Sequence, residues 1–399
     1  MEHLTEYRLE ELLEYEQPTA YIVSSTDYSD NYKTPVLTAG KSFILGYTNE
    51  TAGIFDRLPV IIFDDFTTAI QYVSFPFKVK SSAMKILHIN KNLVHPKYIF
   101  YRMQVIQFDH STHKRYWIQQ YSKIKVKIPP LPEQERIVAR IEELFSELDK
   151  AVETLNTTKQ QLAVYRQAVL KEAFSGGFTN HHDFNVTLKW ATHDEIASLP
   201  PLPKEWKYVA LSELGDLGRG KSKHRPRNDA VLFKDGKYPF IQTGDVKAAN
   251  KYIMVCSKLY GDIGLQQSKL WPKGTLCITI AANIAETAFL GIDACFPDSI
   301  VGFTPNDLVY PLYIKYFIDS QKLRLWAFAP ATAQKNINLD TLENLIVPYC
   351  AIEEQKLVIE EIESRISLCN QIEKTIEQSL QQAEALRQSI LKQAFEGRL

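Results

Sequence analysis

Two stretches of this chain place apolar residues at alternating steps of four and three, and one stretch is a copy of the other. The first runs Ile137, Ile141, Leu144, Leu148, Ala151, Leu155, Thr158, Leu162, Tyr165 and Val169; the second runs Val358, Ile362, Arg365, Cys369, Ile372, Ile376, Ser379, Ala383, Leu386 and Ile390. Every pair is separated by 221 residues, and the same offset relates Glu133-Gln134 to Glu354-Gln355 and Gly176 to Gly397. A seam with a 3.5-residue period, held for about five heptads, predicts a coiled coil rather than a helix lying on a globular core. Two unrelated amphipathic helices do not explain the shared register. Both stretches open with acids (Glu133, Glu135; Glu353, Glu354), which suit the positive end of a helix dipole. Both close at a glycine, the residue best able to adopt the left-handed conformation past a helix end. Each helix should be about 64 Å long. Full antiparallel overlap would pair Ile137 with Ile390, Ile141 with Leu386, Leu155 with Ile372, Tyr165 with Ile362 and Val169 with Val358, and would complete the interface with Leu148. Leu162 would face Arg365, whose guanidinium should reach the rod surface.

The remaining segments alternate on a shorter period. Residues 1–128 read as a mixed domain, with a short helix at Glu6–Glu14 and strands at Tyr21–Ser24, Val36–Thr38, Pro59–Phe63 and Tyr72–Lys80. A helix follows His95-Pro96. Residues 204–349 repeat this grammar: Thr34-Pro35-Val36-Leu37-Thr38-Ala39-Gly40 parallels Tyr238-Pro239-Phe240-Ile241-Gln242-Thr243-Gly244, and His95-Pro96-Lys97-Tyr98 parallels Tyr310-Pro311-Leu312-Tyr313. The order is a first domain (1–128), a long helix (129–178), a linker (179–203) with prolines at its end, a second domain (204–349) and a second long helix (350–399). The expected fold is α+β: two strand-rich domains separated by two long helices in an antiparallel coiled coil, an internal duplication with a pseudo-twofold that sets the domains at opposite ends of the rod.

Charge adds one distinction. The 399 residues carry a net charge of −1, so no global basic signature marks a polyanion binder. Residues 132–174 hold 6 basic and 8 acidic side chains and 353–395 hold 5 and 8, whereas 1–131 hold 15 and 13 and 204–349 hold 18 and 14. The mild positive charge therefore lies off the helices. Five cysteines form no CxxC pair and fit reduced core thiols of a cytosolic protein. No signal peptide or membrane-spanning apolar run is expected.

The lead-in Ile128-Pro129-Pro130-Leu131-Pro132-Glu133-Gln134 before a long helix resembles the signature of the specificity subunit of type I restriction–modification systems. Leu202-Pro203-Lys204-Glu205-Trp206 and Tyr238–Asp245 are similar to the start of that family's target-recognition domains, and Gln334-Lys335-Asn336-Ile337 to a late segment of them. The resemblance covers nearly the whole chain. The second helix departs from it, entering from Val347-Pro348-Tyr349-Cys350 without the Pro-Pro-Leu-Pro spelling, and the first domain lacks a Pro-x-x-Trp lead-in. The resemblance implies a non-catalytic recognition subunit for defence against foreign DNA in a bacterial or archaeal cytoplasm. Its two domains would each read half of a bipartite site in double-stranded DNA. Its helices would set the spacer and dock two methyltransferase subunits and, through them, restriction subunits, with no cofactor and no membrane. A scaffold spacing two protein-binding domains without DNA is the alternative.

Catalytic readings fare worse. Gly215–Ser222 fits the phosphate-loop pattern GxxxxGK[ST], but Pro226 follows and no apolar periodicity opens the helix that such a loop feeds. Ile61–Asp65 imitates a magnesium-binding strand but precedes the loop. His110, His113 and His181-His182-Asp183 have too few partners for zinc. No methyltransferase Asn/Asp-Pro-Pro-aromatic motif occurs. For DNA, the sharpest candidate is the loop Arg219, Lys221, Lys223, Arg225 and Arg227, with a cation at every second position. Extended, it points all five to one side, toward phosphates and, for arginines, guanine edges; a solvated loop is the competing reading. Gln242, Thr243, Gln334, Lys335 and Asn336 join it in the second domain, and Lys41, Lys114 and Arg115 are the candidates in the first.

Overall fold

Each long repeat forms one unbroken helix, Leu131–Ala173 and Ile352–Phe395. Each ends as its glycine requires. Gly176 (φ +82°) and Gly397 (φ +74°) are left-handed, and the next residues' N–H groups, of Gly177 and Arg398, donate back to the carbonyls of Glu172 (3.0 Å) and Gln393 (2.9 Å), the hydrogen bond that closes a helix C-terminus. The computed structural model describes residues 4–40, 42–109, 115–178, 199–328 and 336–399. Linker residues 179–198, with His181, His182 and Asp183, and the candidates His110, His113, Lys41, Lys114, Gln334 and Lys335 lie outside the described residues.

The chain divides into two compact units, residues 1–157 with 376–399, and residues 158–375. Both helices are therefore shared between the units.

In the first unit the strand Thr5–Arg8 pairs with Lys125–Ile128. A four-stranded antiparallel sheet orders Leu13–Glu16, Met84–Ile89, Val60–Asp64 and Ile70–Val73, and a three-stranded sheet orders Ile44–Thr48, Thr34–Leu37 and Lys78–Val79. The helix expected at Glu6–Glu14 is instead strand, one short turn (Leu9–Leu12) and strand. Pairing across the chain overrides local propensity there: Lys125 hydrogen-bonds Glu6 (2.8 Å) and holds its carboxyl below the ordinary range. Tyr21–Ser24 contributes one bridge, Ile22 to Val79, rather than a strand, and Tyr72–Lys80 splits into two strands. The helix after His95 spans Pro96–Gln104.

The second unit pairs Lys207–Ala210 with Ile346–Tyr349. A five-stranded sheet orders Gly215–Arg219, Ile300–Pro305, Leu276–Thr279, Thr287–Leu290 and Tyr252–Ile253; a four-stranded sheet orders Lys258–Tyr260, Tyr238–Phe240, Ala294–Cys295 and Leu270–Trp271. The helix Pro311–Phe328 follows Tyr310.

Within each unit one core joins domain to helices. Ile137, Ile141, Phe145, Ile390, Leu391 and Ala394 share a buried cluster with Leu9, Tyr98 and Ile99. Val169, Leu170, Ala173, Phe174, Val358 and Ile362 share another with Trp206, Tyr313 and Phe317. Of the expected interface, Ile137, Ile141, Val169, Val358, Ile362 and Ile390 are buried and Leu148 and Leu155 half-buried. Tyr165 (45% exposed), Ile372 (37%) and Leu386 (50%) are not. Their C-terminal neighbours Arg166, Glu373 and Arg387 are the half-buried ones, because long stems cover apolar surface while the charged heads pair.

The pairing also slides. Full overlap puts Asp149 opposite Gln378, Arg166 opposite Glu361 and Glu172 opposite Gln355. Instead Arg387 donates to Asp149, Arg166 donates to Asn370 (2.8 Å) and Glu373 (2.7 Å), and Arg365 lies 3.4 Å from Glu172. Each partner sits nine to twelve residues beyond its expected place. The last turns of both helices are taken into the domain cores and cannot also face the first turns. Arg365 reaches the flank, paired with Glu361 (2.6 Å) and lying 4.3 Å from the Phe178 ring.

Candidate nucleic-acid interface

The glycines that imitate a phosphate loop have a packing role. A Cβ on Gly218 would come within 2.7 Å of the Trp271 ring, and one on Gly220 within 2.3 Å of the Pro297 carbonyl. Gly215–Arg219 is a strand paired with Ile300–Pro305, not the turn into a helix that holds phosphate. Ile61–Asp65 also has a structural explanation. The Asp65 carboxylate is buried, lies 3.3 Å from Lys85 and accepts the Trp117 N–H at 2.8 Å.

Beyond Arg219 the chain keeps the alternation of a strand. Gly220 and Ser222 are buried and His224 half-buried, whereas Arg219, Lys221, Lys223, Arg225 and Arg227 are all exposed. The backbone is fixed from below. Gln267 accepts the N–H groups of Lys223 (2.6 Å) and His224 (3.0 Å), and the Ser268 hydroxyl donates to the Lys221 carbonyl (2.8 Å). His224 hydrogen-bonds Asp229 at 2.8 Å, and that bond holds the Asp229 carboxyl below its ordinary range.

The five cations are held differently. Arg227 Nη2 donates to both carboxylate oxygens of Asp298 (2.6 and 2.8 Å), and Arg219 Nε donates to the Asp298 carbonyl (2.5 Å). Arg225 Nη1 donates to the carbonyls of Ser222 (2.6 Å) and His224 (2.8 Å). The ammonium groups of Lys221 and Lys223 have no hydrogen bond or ion pair among the described residues. Asp298 carries no sequence signal: it stands 71 residues from Arg227 and outside every motif.

The other candidates are dispersed. Gln242 caps the short helix Thr243–Ala248, its N–H accepted by Asp245 at 2.7 Å, and both Gln242 and Thr243 are half-buried. Asn336 is exposed and bridges to Ala281. Among the described residues, no hydrogen bond or ion pair joins these three to the basic loop. In the first domain Arg115 is exposed at the start of the turn Tyr116–Gln119, directly before buried Tyr116 and Trp117.

No cluster of potential metal ligands occurs among the described residues, and no described helix is long and apolar enough to cross a membrane. Four of the five cysteines are buried and all five are free thiols.

A profile of the type I restriction modification DNA specificity domain matches residues 1–162 and 203–382. The chain is 32% identical over 390 residues to the EcoR124I/EcoR124II type I restriction enzyme specificity subunit of Escherichia coli, covering 91% of this chain and 87% of that one. It is 27% identical over 281 residues to the EcoBI specificity subunit of the same organism, covering 68% and 58%. Among solved structures, a chain from work on assembly and conformational transition of the type I R-M system superposes with a TM-score of 0.72 at 18% identity, covering 100% and 99%. The HsdS subunit of Thermoanaerobacter tengcongensis superposes with a TM-score of 0.56 at 17% identity, covering 100% and 98%.

Proposed function

This chain belongs to the type I restriction–modification DNA specificity family and is a DNA specificity subunit, and on that premise we propose how its parts divide the task. Domains 1–128 and 204–349 are two target-recognition domains, each reading one half of a bipartite double-stranded site. The long helices form an antiparallel coiled coil that sets the spacer. They dock two methyltransferase subunits and, through them, restriction subunits. The chain has no chemistry of its own and works in the cytoplasm. Internal duplication with a pseudo-twofold relates the two units.

One observation carries this reading: positions 221 apart on the helices make equivalent contacts. Gln134 accepts the His95 N–H (2.7 Å) and donates to the carbonyls of Pro129 (2.8 Å) and Leu93 (3.2 Å). Gln355 accepts the Tyr310 N–H (2.8 Å) and donates to those of Cys350 (2.7 Å) and Leu308 (3.4 Å). A unit used twice, on domains whose exposed loops differ, is what reading two different half-sites needs.

Sequencing the methylome of the host with and without the gene tests it. Loss of one bipartite methylated motif is the expected result; an unchanged methylome would favour a scaffold that never meets DNA. Within the assembled complex, replacing Arg225 and Arg227 by alanine should weaken DNA binding. Its salt dependence should flatten by roughly one unit of log–log slope for each phosphate that an arginine no longer neutralises. Adding one heptad to each helix, after Leu155 and after Ile376, should lengthen the coil by about 10 Å and the spacer by at most roughly three base pairs, at about 3.4 Å each. The half-sites themselves should not change.

A further inference from the structure

We propose that Asp298 is a positioning residue for sequence readout: its carboxylate holds Arg227 so that one remaining donor meets an acceptor of a guanine in the half-site read by the second domain. The proposal rests on the contact between this loop and DNA proposed above. The Asp298 carboxylate accepts from one terminal nitrogen of Arg227, and the main-chain carbonyl of the same residue accepts from Nε of Arg219. Nε and Nη1 of Arg227 and both terminal nitrogens of Arg219 remain without a partner among the described residues.

That arrangement suits a base edge better than a phosphate. A phosphate requires only positive charge, and a carboxylate beside the arginine weakens it. Donating to a guanine acceptor requires the guanidinium plane to be set in direction, and a carboxylate chelating one nitrogen sets it. Lys221 and Lys223, also exposed and without an ion pair among the described residues, supply the undirected charge that phosphates take. The ion pair itself is half exposed, 48% on Arg227 and 33% on Asp298, so it adds little to folding. Its value lies in orientation.

The test uses the assembled methyltransferase complex, with binding measured on DNA carrying the motif and on DNA lacking it, and the methylome read in parallel. Asp298→Asn should lower affinity for the motif about tenfold, the scale of one base contact, and leave affinity for DNA lacking it equal or higher, since a negative charge is removed. One position of one half-site should relax, the same one that relaxes in Arg227→Ala. The double variant should relax it no further, because Asp298 acts through Arg227. Asp298→Glu keeps the charge but moves it, and should relax the same position with unchanged affinity for DNA lacking the motif. Relaxation in Arg227→Ala but not in Asp298→Asn would overturn the proposal, as would an equal loss on both DNAs. If Arg227→Ala and the paired Lys221→Ala, Lys223→Ala variant change neither affinity nor motif, the loop is not on DNA and the underlying reading fails instead.

Discussion

The two units share a joint and a strand order, and differ in what is added to them. In the first, Phe395 at the end of the second helix packs edge-on against Tyr98, with ring centroids 5.3 Å apart. In the second, Phe174 at the end of the first helix does the same to Tyr313 at 5.1 Å. Tyr98 and Tyr313 occupy matching places, three residues into parallel His-Pro and Tyr-Pro segments. Each domain thus grips the start of the helix that follows it through a glutamine and the end of the other helix through a phenylalanine. The second domain adds one strand to each sheet: the first has sheets of four and three strands and the second sheets of five and four, besides their two-stranded pairs. The basic loop with its aspartate has no counterpart among the described residues of the first. Buried groups with several partners leave little freedom to vary, whereas an exposed loop can be rebuilt without disturbing a core.

The comparison can be broken most forcefully at the phenylalanines. Phe174 is buried and also packs on Phe317 at 5.3 Å, so Phe174→Ala should cost about 3–5 kcal/mol. Phe395 is only partly buried, with Arg102 over its ring at 5.5 Å, and Phe395→Ala should cost less, about 2–3 kcal/mol. Hydrogen exchange resolves the units separately: the first variant should unprotect the Pro311–Phe328 helix, the second the Pro96–Gln104 helix. Losses spread evenly over both would show that the joint is not local.

The glutamines come next. Both are fully buried; truncating Gln134 leaves one backbone N–H and two carbonyls without their partner, whereas truncating Gln355 leaves the Leu308 carbonyl with the Tyr349 hydroxyl at 3.2 Å. Gln134→Ala and Gln355→Ala should each cost about 2–3 kcal/mol, with Gln134→Ala the costlier. The reverse order would mean that the joints are alike in geometry but not in energy.

These joints were half legible in the sequence. The repeat, its glycine stops and the Gln134/Gln355 correspondence followed from spacing, because helix periodicity and capping are local. The register was not legible. A heptad slip preserves an apolar seam, and what fixed the slide was the capture of Phe174 and Phe395 by cores distant in the chain. The exposure of Tyr165, Ile372 and Leu386 escaped for a related reason, since apolar spacing cannot foresee that arginine stems will occupy the inner row. The alternation of the basic loop was readable. Asp298 was not, because nothing local marks a carboxylate that pairs across 71 residues.

A gentler probe is pH. Burial pushes the Tyr98 phenol up to about 12, and that of Tyr313, fully buried with its hydroxyl donating to the Pro348 carbonyl at 2.7 Å, well above its ordinary value. A raised acid pKa means that the folded state keeps a proton the unfolded chain releases near pH 10. This contribution is therefore whole below about pH 10 and falls as pH rises toward 12. Urea unfolding followed by phenolate absorbance should show stability level from pH 7 to about 9 and declining above 10. Tyr313→Phe should flatten the decline in the second unit more than Tyr98→Phe does in the first.

The smallest effects lie on the rim, where the copies use different chemistry at one position. Arg166 and Arg387 are equivalents, and so are their partners Asn370 and Asp149. In the first unit the partner is a carboxylate, with Arg387 also 4.3 Å from the Phe145 ring; in the second it is a neutral amide, with Glu373 supplying the charge. Asp149→Ala should therefore cost about 0.2–1 kcal/mol at low salt. Most of that cost should vanish near 1 M salt, where charges are screened within about 3 Å. Asn370→Ala should cost about 0.5–1 kcal/mol and change little with salt, because the ion pair to Glu373 survives it. No cost at any salt for Asn370→Ala would show that Glu373 alone holds Arg166 and that Asn370 only lies nearby. Insensitivity at both would show that the Phe145 ring, rather than Asp149, fixes Arg387.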